Sequence, residues 1–338
     1  MTIKPVKSAE GISNIAFGFM ASKALFAGLH MDIFTHLVRG PKTLKEIAVD
    51  TGVPVNRVTT LMTALLSIGL VENENGSFTN SPGAASFLAR GAKYEFGDYL
   101  RFQIDQQMYP FLDQLNDVLD GSLEPDAVDS YQHWMSDPEQ AALYSNAQHA
   151  GSLGPGLTIS RLVNLNGAKT LLDVGGGTGA MTIRLLEANP DLSSTIIDFP
   201  NVSEIGWRFI TEASMVDRVR YIPSNALVVE WPKEQDAILM SYLFSGVPGC
   251  EVPRLVQYAF NCLASGGKFM VHDFMVEDDR LGPPMAALWQ LQHMAFTPDA
   301  HSVTAGWLHK EMEKAGFVDI CEEETIPDLT KLVHARKP

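Results

Sequence analysis

The run Leu171-Leu172-Asp173-Val174-Gly175-Gly176-Gly177-Thr178-Gly179 constrains this chain more than any other stretch. An apolar strand passes directly into a glycine turn that opens a helix over Gly179–Asn189. Glycine at these positions lets the backbone turn sharply and admits a ligand where a Cβ would stand. From Gly167 onward short apolar strands alternate with helices. The spacing predicts strands at Thr170–Val174, Ser194–Asp198, Val219–Pro223, Ala237–Tyr242 and Lys268–Phe274. Helices fall at Val202–Ala213, Pro253–Leu263 and Thr304–Ala315, and strands at Val318–Glu324 and Leu329–Ala335 close the chain. Buried strands joined by helices imply a mainly parallel α/β sheet, with its ligand at the carboxyl ends of the strands.

Two ligand classes fit such a turn. Gly175, Gly177 and Ala180 satisfy the G-x-G-x-x-G/A pattern of dinucleotide binders. Asp173 favours the other class. A carboxylate two residues before the first glycine repels a pyrophosphate but holds a cationic amino group, such as that of S-adenosylmethionine. Asp198, in Ile196-Ile197-Asp198-Phe199-Pro200, ends the next strand about 20 positions on, where an acid accepts ribose hydroxyls. Its alternative is a plain cap on the helix after Asn201.

Residues 1–95 read as helices closed by a hairpin. Thr43-Leu-Lys-Glu46 has the form of a capping box, and Val58, Leu61, Leu65 and Leu66 repeat at helical spacing up to Gly69. Leu70–Phe78, turning at Asn75-Gly76, predicts two short strands. Together these make a winged helix. Lys42, Lys45, Arg57 and Arg90 are balanced by Glu46, Asp50, Glu72 and Glu74, which leaves no basic face for a phosphate backbone. The module therefore reads as a packing or dimerisation unit. The whole chain, with 40 acidic against 25 basic residues, also argues against a nucleic-acid partner.

Cys250, Cys262 and Cys321 form no C-x-x-C pair, so neither zinc nor a disulfide framework is expected. Ile12–Leu37 is apolar but interrupted by Asn14, Lys23, His30 and Asp32, which predicts amphipathic helices rather than a membrane span. A soluble, cytoplasmic protein is the expectation. Residues 96–166 form a second helical region carrying Tyr131, His133, Trp134, Tyr144, Gln148 and His149. It is expected to break at a loop over Gly151–Gly156 before residues 167–338 build the cofactor domain.

With "LLDVGGGTG", "IIDFPNV" and "CLASGGKFMVHDF" behind a winged module, the chain resembles the caffeate and acetylserotonin type of O-methyltransferase along nearly its full length. The resemblance implies a Rossmann-like class I methyltransferase domain, S-adenosylmethionine as cofactor, and S-adenosylhomocysteine as product. It also implies a homodimer interlocked through the N-terminal domains and a small-molecule pocket between domains. Carried over by position, Gly175 and Gly177 line the methionine moiety, and Asp198 with Phe199 meets the ribose. Asn225, where the family usually has Asp, and Ala226 face the adenine edge, which Tyr242 flanks. Tyr144 and Gln148 fall on the helix placed over the reacting methyl group.

One departure decides the chemistry. The family's O-methylating members carry a general-base His, followed by Asp, just past the fourth strand; here Ser245 and Gly246 stand there. A hydroxyl does not take up a proton at neutral pH as imidazole does. A phenol needs such a base, whereas a thioether attacks with a lone pair and needs alignment, dryness and a surface tolerant of positive charge. Tyr131, Tyr144, Gln148 and His149 are the candidate catalytic contacts, and Trp134, Phe244, Ser245, Trp289, His293 and Phe296 the candidate pocket. In these respects the chain is similar to the methylthiohydroxybutyrate S-methyltransferases of dimethylsulfoniopropionate synthesis. Two other readings stay open. One is O- or C-methylation of an aromatic or polyketide-like metabolite with His149 or His293 as a relocated base. The other is a winged-helix regulator, or a non-methylating relative that merely retains the nucleotide pocket. His272, Asp273 and His293 form a conceivable metal set, but no metal is expected.

Overall fold

The computed structural model describes residues 4–123 and 131–338. It divides into two compact units, 2–109 and 110–338. The division falls inside the stretch that the sequence assigns to a helical linker.

In the N-terminal unit the capping box forms as its chemistry dictates. Thr43 Oγ1 accepts from the Glu46 N–H at 3.4 Å, and the Glu46 carboxylate accepts from the Thr43 N–H at 2.7 Å, opening the helix Leu44–Thr51. The helix Val55–Ser67 follows, then strands Val71–Glu74 and Ser77–Asn80. Asn75 and Gly76 both have positive φ, 51° and 86°, as a tight two-residue hairpin turn requires. Lys42–Thr43 adds a third strand against Ser77 and Phe78. Leu29, Ile33, Phe34, Ile47, Met62 and Leu65 fill the core, each contributing about 1.5–3 kcal/mol by burial. Arg101 is buried within the π-helix Tyr99–Met108, donating to the Leu29 carbonyl and pairing with Asp98 and Asp32.

The sequence expectation of helices over Ile12–Leu37 holds, in three segments, Ala9–Ala16, Gly18–His30 and Ile33–Val38. By length and composition, Ala9–His30 is helical and apolar enough to cross a membrane. The chain nevertheless turns at Phe17 between the helices Ala9–Ala16 and Gly18–His30. Lys23 and His30 on the second helix both bond Asp105, at 2.5 and 3.0 Å.

The C-terminal unit is a seven-stranded sheet. Its strands are β1 Thr170–Val174, β2 Ser193–Asp198, β3 Val219–Pro223, β4 Gln235–Ser241, β5 Leu263–Asp273, β6 Val318–Ile326 and β7 Thr330–Arg336. The order is β3-β2-β1-β4-β5-β7-β6, parallel from β3 to β5, with β7 antiparallel to both neighbours. The unit's longer helices among the described residues are α1 Pro138–Leu162, α2 Ala180–Ala188, α3 Pro200–Glu212, α4 Val252–Cys262, α5 Pro284–Phe296 and α6 Ala305–Ala315. Leu172, Val174, Ile238 and Met240 meet Val256 and Leu308 on one face. Leu171, Ile196 and Leu239 meet Ile159, Ile183 and Ile210 on the other. Strand order reverses between β1 and β4, so the crevice for a ligand opens at their carboxyl ends.

The expected loop at Gly151–Gly156 does not exist: all six residues lie inside the 25-residue α1. The glycine there serves packing. A Cβ on Gly156 would stand 3.0 Å from Met181 Cα and 3.3 Å from the Arg184 side chain, so its absence lets α1 rest directly on α2.

Candidate active site

At the tip of β1, Gly175, Gly177 and Gly179 take φ values of 70°, 58° and 75°, the left-handed region that glycine tolerates. The turn wraps around two acids. Asp198 accepts from the Gly177 N–H at 2.7 Å and from the Phe199 N–H at 2.7 Å. Burial pushes its carboxyl up to about 6. Asp173 lies beneath the loop, so close that a Cβ on Gly176 would sit 2.5 Å from its Cγ. Its Oδ2 accepts from Thr182 Oγ1 at 2.7 Å, while its buried Oδ1 meets no protein donor. Burial, with Asp198 nearby, pushes Asp173 up to about 7. A buried carboxylate oxygen without a donor, beside a second carboxylate, suits a ligand bearing an ammonium and hydroxyls. S-adenosylmethionine bears both, and bound there it supplies an electrophilic methyl group. A Cβ on Gly177 would meet open space, so the loop leaves room for a ligand there.

The tip of β4 closes over this loop. Leu243 would touch a Cβ on Gly175 at 3.1 Å. Tyr242 holds a left-handed φ of 55°, donates its N–H to the His272 carbonyl at 2.8 Å, and stacks on Phe274. The Asn225 side chain accepts from the Leu227 N–H at 2.8 Å and donates to Gln132 at 2.6 Å, while the Ala226 carbonyl accepts from the Trp231 indole.

The helix Tyr131–Ser136 and α1 gather an aromatic cluster. Tyr131 and Trp134 lie 4.5 and 4.9 Å from Phe296, and Trp134 lies 4.9 Å from Tyr144, all edge-on. Phe111 joins from the other side of Phe296, and Phe199 packs against the same group. The Tyr131 phenol hydrogen-bonds Tyr144, and burial pushes its pKa up to about 12, so it stays protonated. Gln148 lies one turn beyond Tyr144, half-buried.

Ser245 is buried on the short turn Phe244–Gly246. Its N–H donates to Asp273 Oδ2 at 3.0 Å, and the Phe274 N–H donates to Oδ1 at 2.8 Å. The Ser245 hydroxyl and the Phe244 backbone add further donors. Asp273 is completely buried, which pushes its carboxyl up to about 6. It is also near enough to oppose ionisation of Tyr131. Gly246 makes this neighbourhood possible, because a Cβ there would lie 2.8 Å from Tyr131 Cε2.

Three histidines, His149, His272 and His293, are held neutral by burial. Trp289 stacks on Phe274 at 4.7 Å and His293 lies beside both; burial pulls His293 down to about 4. His272 bonds Ser241 through Nδ1 and falls to about 3 by burial. His149 points away from the aromatic cluster. Its Nδ1 bonds Thr178 Oγ1 at 2.8 Å and its ring stacks on Phe209 at 3.7 Å. Burial, with Arg184 and Arg208 nearby, lowers it to about 4. An imidazole of pKa near 4 is a poor base at neutral pH. Among the described residues no three His, Cys, Asp or Glu side chains group as metal ligands.

Sequence reasoning missed Thr178, Phe209 and Phe111. Nothing local marks them, because their partners stand 29, 60 and 185 positions away. Asp273 was legible only as part of a strand-tip pair.

This sheet order, with a glycine turn cupped between two carboxylates, defines a class I S-adenosylmethionine-dependent methyltransferase acting on small molecules. Residues 126–318 match the O-methyltransferase domain, and residues 13–90 the O-methyltransferase dimerisation domain. The chain belongs to the O-methyltransferase family. It is 24% identical to the 3-hydroxy-5-methyl-1-naphthoate 3-O-methyltransferase of Streptomyces sahachiroi, over 85% of this chain and 83% of that one. It is also 24% identical to the N,N-dimethyltransferase OxyT of Streptomyces rimosus, over 93% of this chain and 92% of the relative. Human N-acetylserotonin methyltransferase, solved in complex with S-adenosylmethionine, superposes with a TM-score of 0.86 at 18% identity, covering 100% of this chain and 99% of that one.

Proposed function

We propose that this enzyme methylates a small acceptor whose attacking atom needs no deprotonation and becomes cationic. The acceptor proposed is a thioether such as 4-methylthio-2-hydroxybutyrate, converted to a sulfonium. The observation that carries this reading is the turn at Ser245: a hydroxyl occupies the base position and sits on the buried, multiply bonded carboxylate of Asp273.

The acceptor sulfur would use a lone pair to form the new S–C bond as the donor's S–CH3 bond breaks, its electrons remaining on the donor sulfur. No proton moves. Positive charge passes to the acceptor, and the buried Asp273 carboxylate and the faces of Tyr131, Trp134 and Tyr144 favour it there, each aromatic by about 0.5–2 kcal/mol. Tyr144 and Gln148 align the acceptor, and the Tyr131 hydroxyl meets its polar head. Asp173 holds the cofactor ammonium and Asp198 its ribose, while Gly175 and Gly177 admit the methionine chain. Phe199, Asn225, Ala226 and Tyr242 frame the nucleoside, and Phe244, Trp289 and His293 complete the acceptor pocket.

Kinship favours a second reading, O- or C-methylation of an aromatic or polyketide-like metabolite, since one named relative is a naphthoate 3-O-methyltransferase. It requires a base that His149 and His293, both held near 4, do not readily supply. Incubating the full chain with methyl-labelled donor and 4-methylthio-2-hydroxybutyrate decides the matter. Labelled sulfonium supports the first reading; its absence, with label entering a phenolic acceptor, sinks it.

Residues 1–95 serve as the dimerisation domain, 96–166 as the acceptor-side region, and 167–338 as the cofactor domain. Exposed Ile12, Ile15, Phe19 and Met20 give a homodimer an apolar surface to bury. Three free cysteines, two of them exposed, fit a reducing cytoplasm.

A further inference from the structure

We infer that His149 is a positioning residue: it ties the acceptor-side helix α1 to the glycine loop, and cofactor affinity depends on that tie. The inference rests on the cofactor loop and not on the identity of the acceptor.

Helix α1 presents two neighbouring faces. Tyr144 and Gln148, one turn apart, share one of them. Ser145, His149, Ser152 and Gly156 share the next, and Gly156 seats it on Met181 and Arg184 of α2. From this second face the His149 ring lies flat on Phe209 of α3, with centroids 3.7 Å apart and planes 11° from parallel. Arg208 covers Phe209 at 4.7 Å and bonds Asn146 of α1, so the stack is held at both ends. The ring edge then reaches Thr178 Oγ1 at 2.8 Å.

Thr178 is the one loop residue with a side chain to grip. It is buried, and it stands between Gly177, whose N–H bonds Asp198, and Gly179, which caps α2. A β-branched side chain has few χ1 choices, so fixing its hydroxyl fixes the adjoining backbone. Both flanking glycines hold left-handed φ, one of many conformations open to glycine, so bonds such as this one select it. His149 thus sets the loop on which Asp198 and the cofactor depend, and it does so from the helix that carries Tyr144.

The test is calorimetric titration of S-adenosylhomocysteine into the full chain, which needs no acceptor. His149→Phe keeps the stack and loses the bond; Thr178→Val loses the bond from the other side; His149→Asn restores a polar partner. Each of the first two should weaken binding about tenfold, which is about 1.4 kcal/mol. The double variant should be no weaker than either single, because one shared bond is lost only once. His149→Asn should recover part of the affinity. A merely structural role would lower the melting temperature and leave affinity within about threefold. That result, or full additivity of the two singles, overturns the inference. If His149→Phe fails to fold, Thr178→Val against wild type carries the same comparison.

Discussion

Ser245 donates its backbone N–H to Oδ2 of Asp273 at 3.0 Å, and both residues are buried. The carboxylate is therefore held near Tyr131 by backbone and hydroxyl donors. Ser245→Ala should leave kcat within about threefold, since the hydroxyl is not a base. Asp273→Asn removes the charge and should lower kcat by about 10–100-fold, the rate equivalent of about 1.5–3 kcal/mol. Affinity for S-adenosylhomocysteine should stay unchanged in both. Steady-state kinetics with parallel calorimetry separates these outcomes.

Gly246→Ala tests the placement of Tyr131. The new Cβ would stand 2.8 Å from Tyr131 Cε2, so the ring must move. Overpacking of this kind costs about 1–3 kcal/mol. The acceptor KM should rise about tenfold or more while cofactor affinity holds. An unchanged KM would mean that Tyr131 does not shape the pocket.

Cofactor binding should weaken in acid. Burial raises Asp173 to about 7 and Asp198 to about 6, and a ligand ammonium, cationic across this range, needs the anionic carboxylate. Both acids are ionised above pH 7, and the favourable pairing is lost as pH falls through their raised values. Affinity for S-adenosylhomocysteine should fall about tenfold from pH 8 to pH 6, as one unit below a pKa dictates. Asp173→Asn should bind weakly at pH 8 and change little down to pH 7. A flat wild-type profile would dissociate Asp173 from the ammonium.

Much of the fold was legible because its signals are local. Thr43 and Glu46 stand three residues apart in a capping box, Asn75-Gly76 matches its turn, and every strand of the C-terminal sheet falls within a few residues of its apolar run. The acceptor-side details were not. Gly151–Gly156 reads as a loop because helix-interior glycine is locally unfavourable; only the approach of Met181 gives Gly156 a reason to be there. His149 reads as a candidate base until Thr178 and Phe209 arrive from distant segments. Gly156→Ala should accordingly destabilise the protein by about 1–3 kcal/mol despite its better helix propensity. Thermal melting checks the sign: a rise in Tm would mean that α2 yields to the added methyl group and that packing does not require Gly156.

The absence of a general base is the central claim, and the pH dependence of kcat tests it most directly. The measurement uses saturating methyl-labelled S-adenosylmethionine with 4-methylthio-2-hydroxybutyrate, from pH 7 to pH 9, beside a phenolic acceptor. The account predicts a labelled sulfonium formed at a kcat that varies by less than about threefold across that range. Label on the phenol oxygen instead, with kcat climbing steeply as the pH rises, would contradict it.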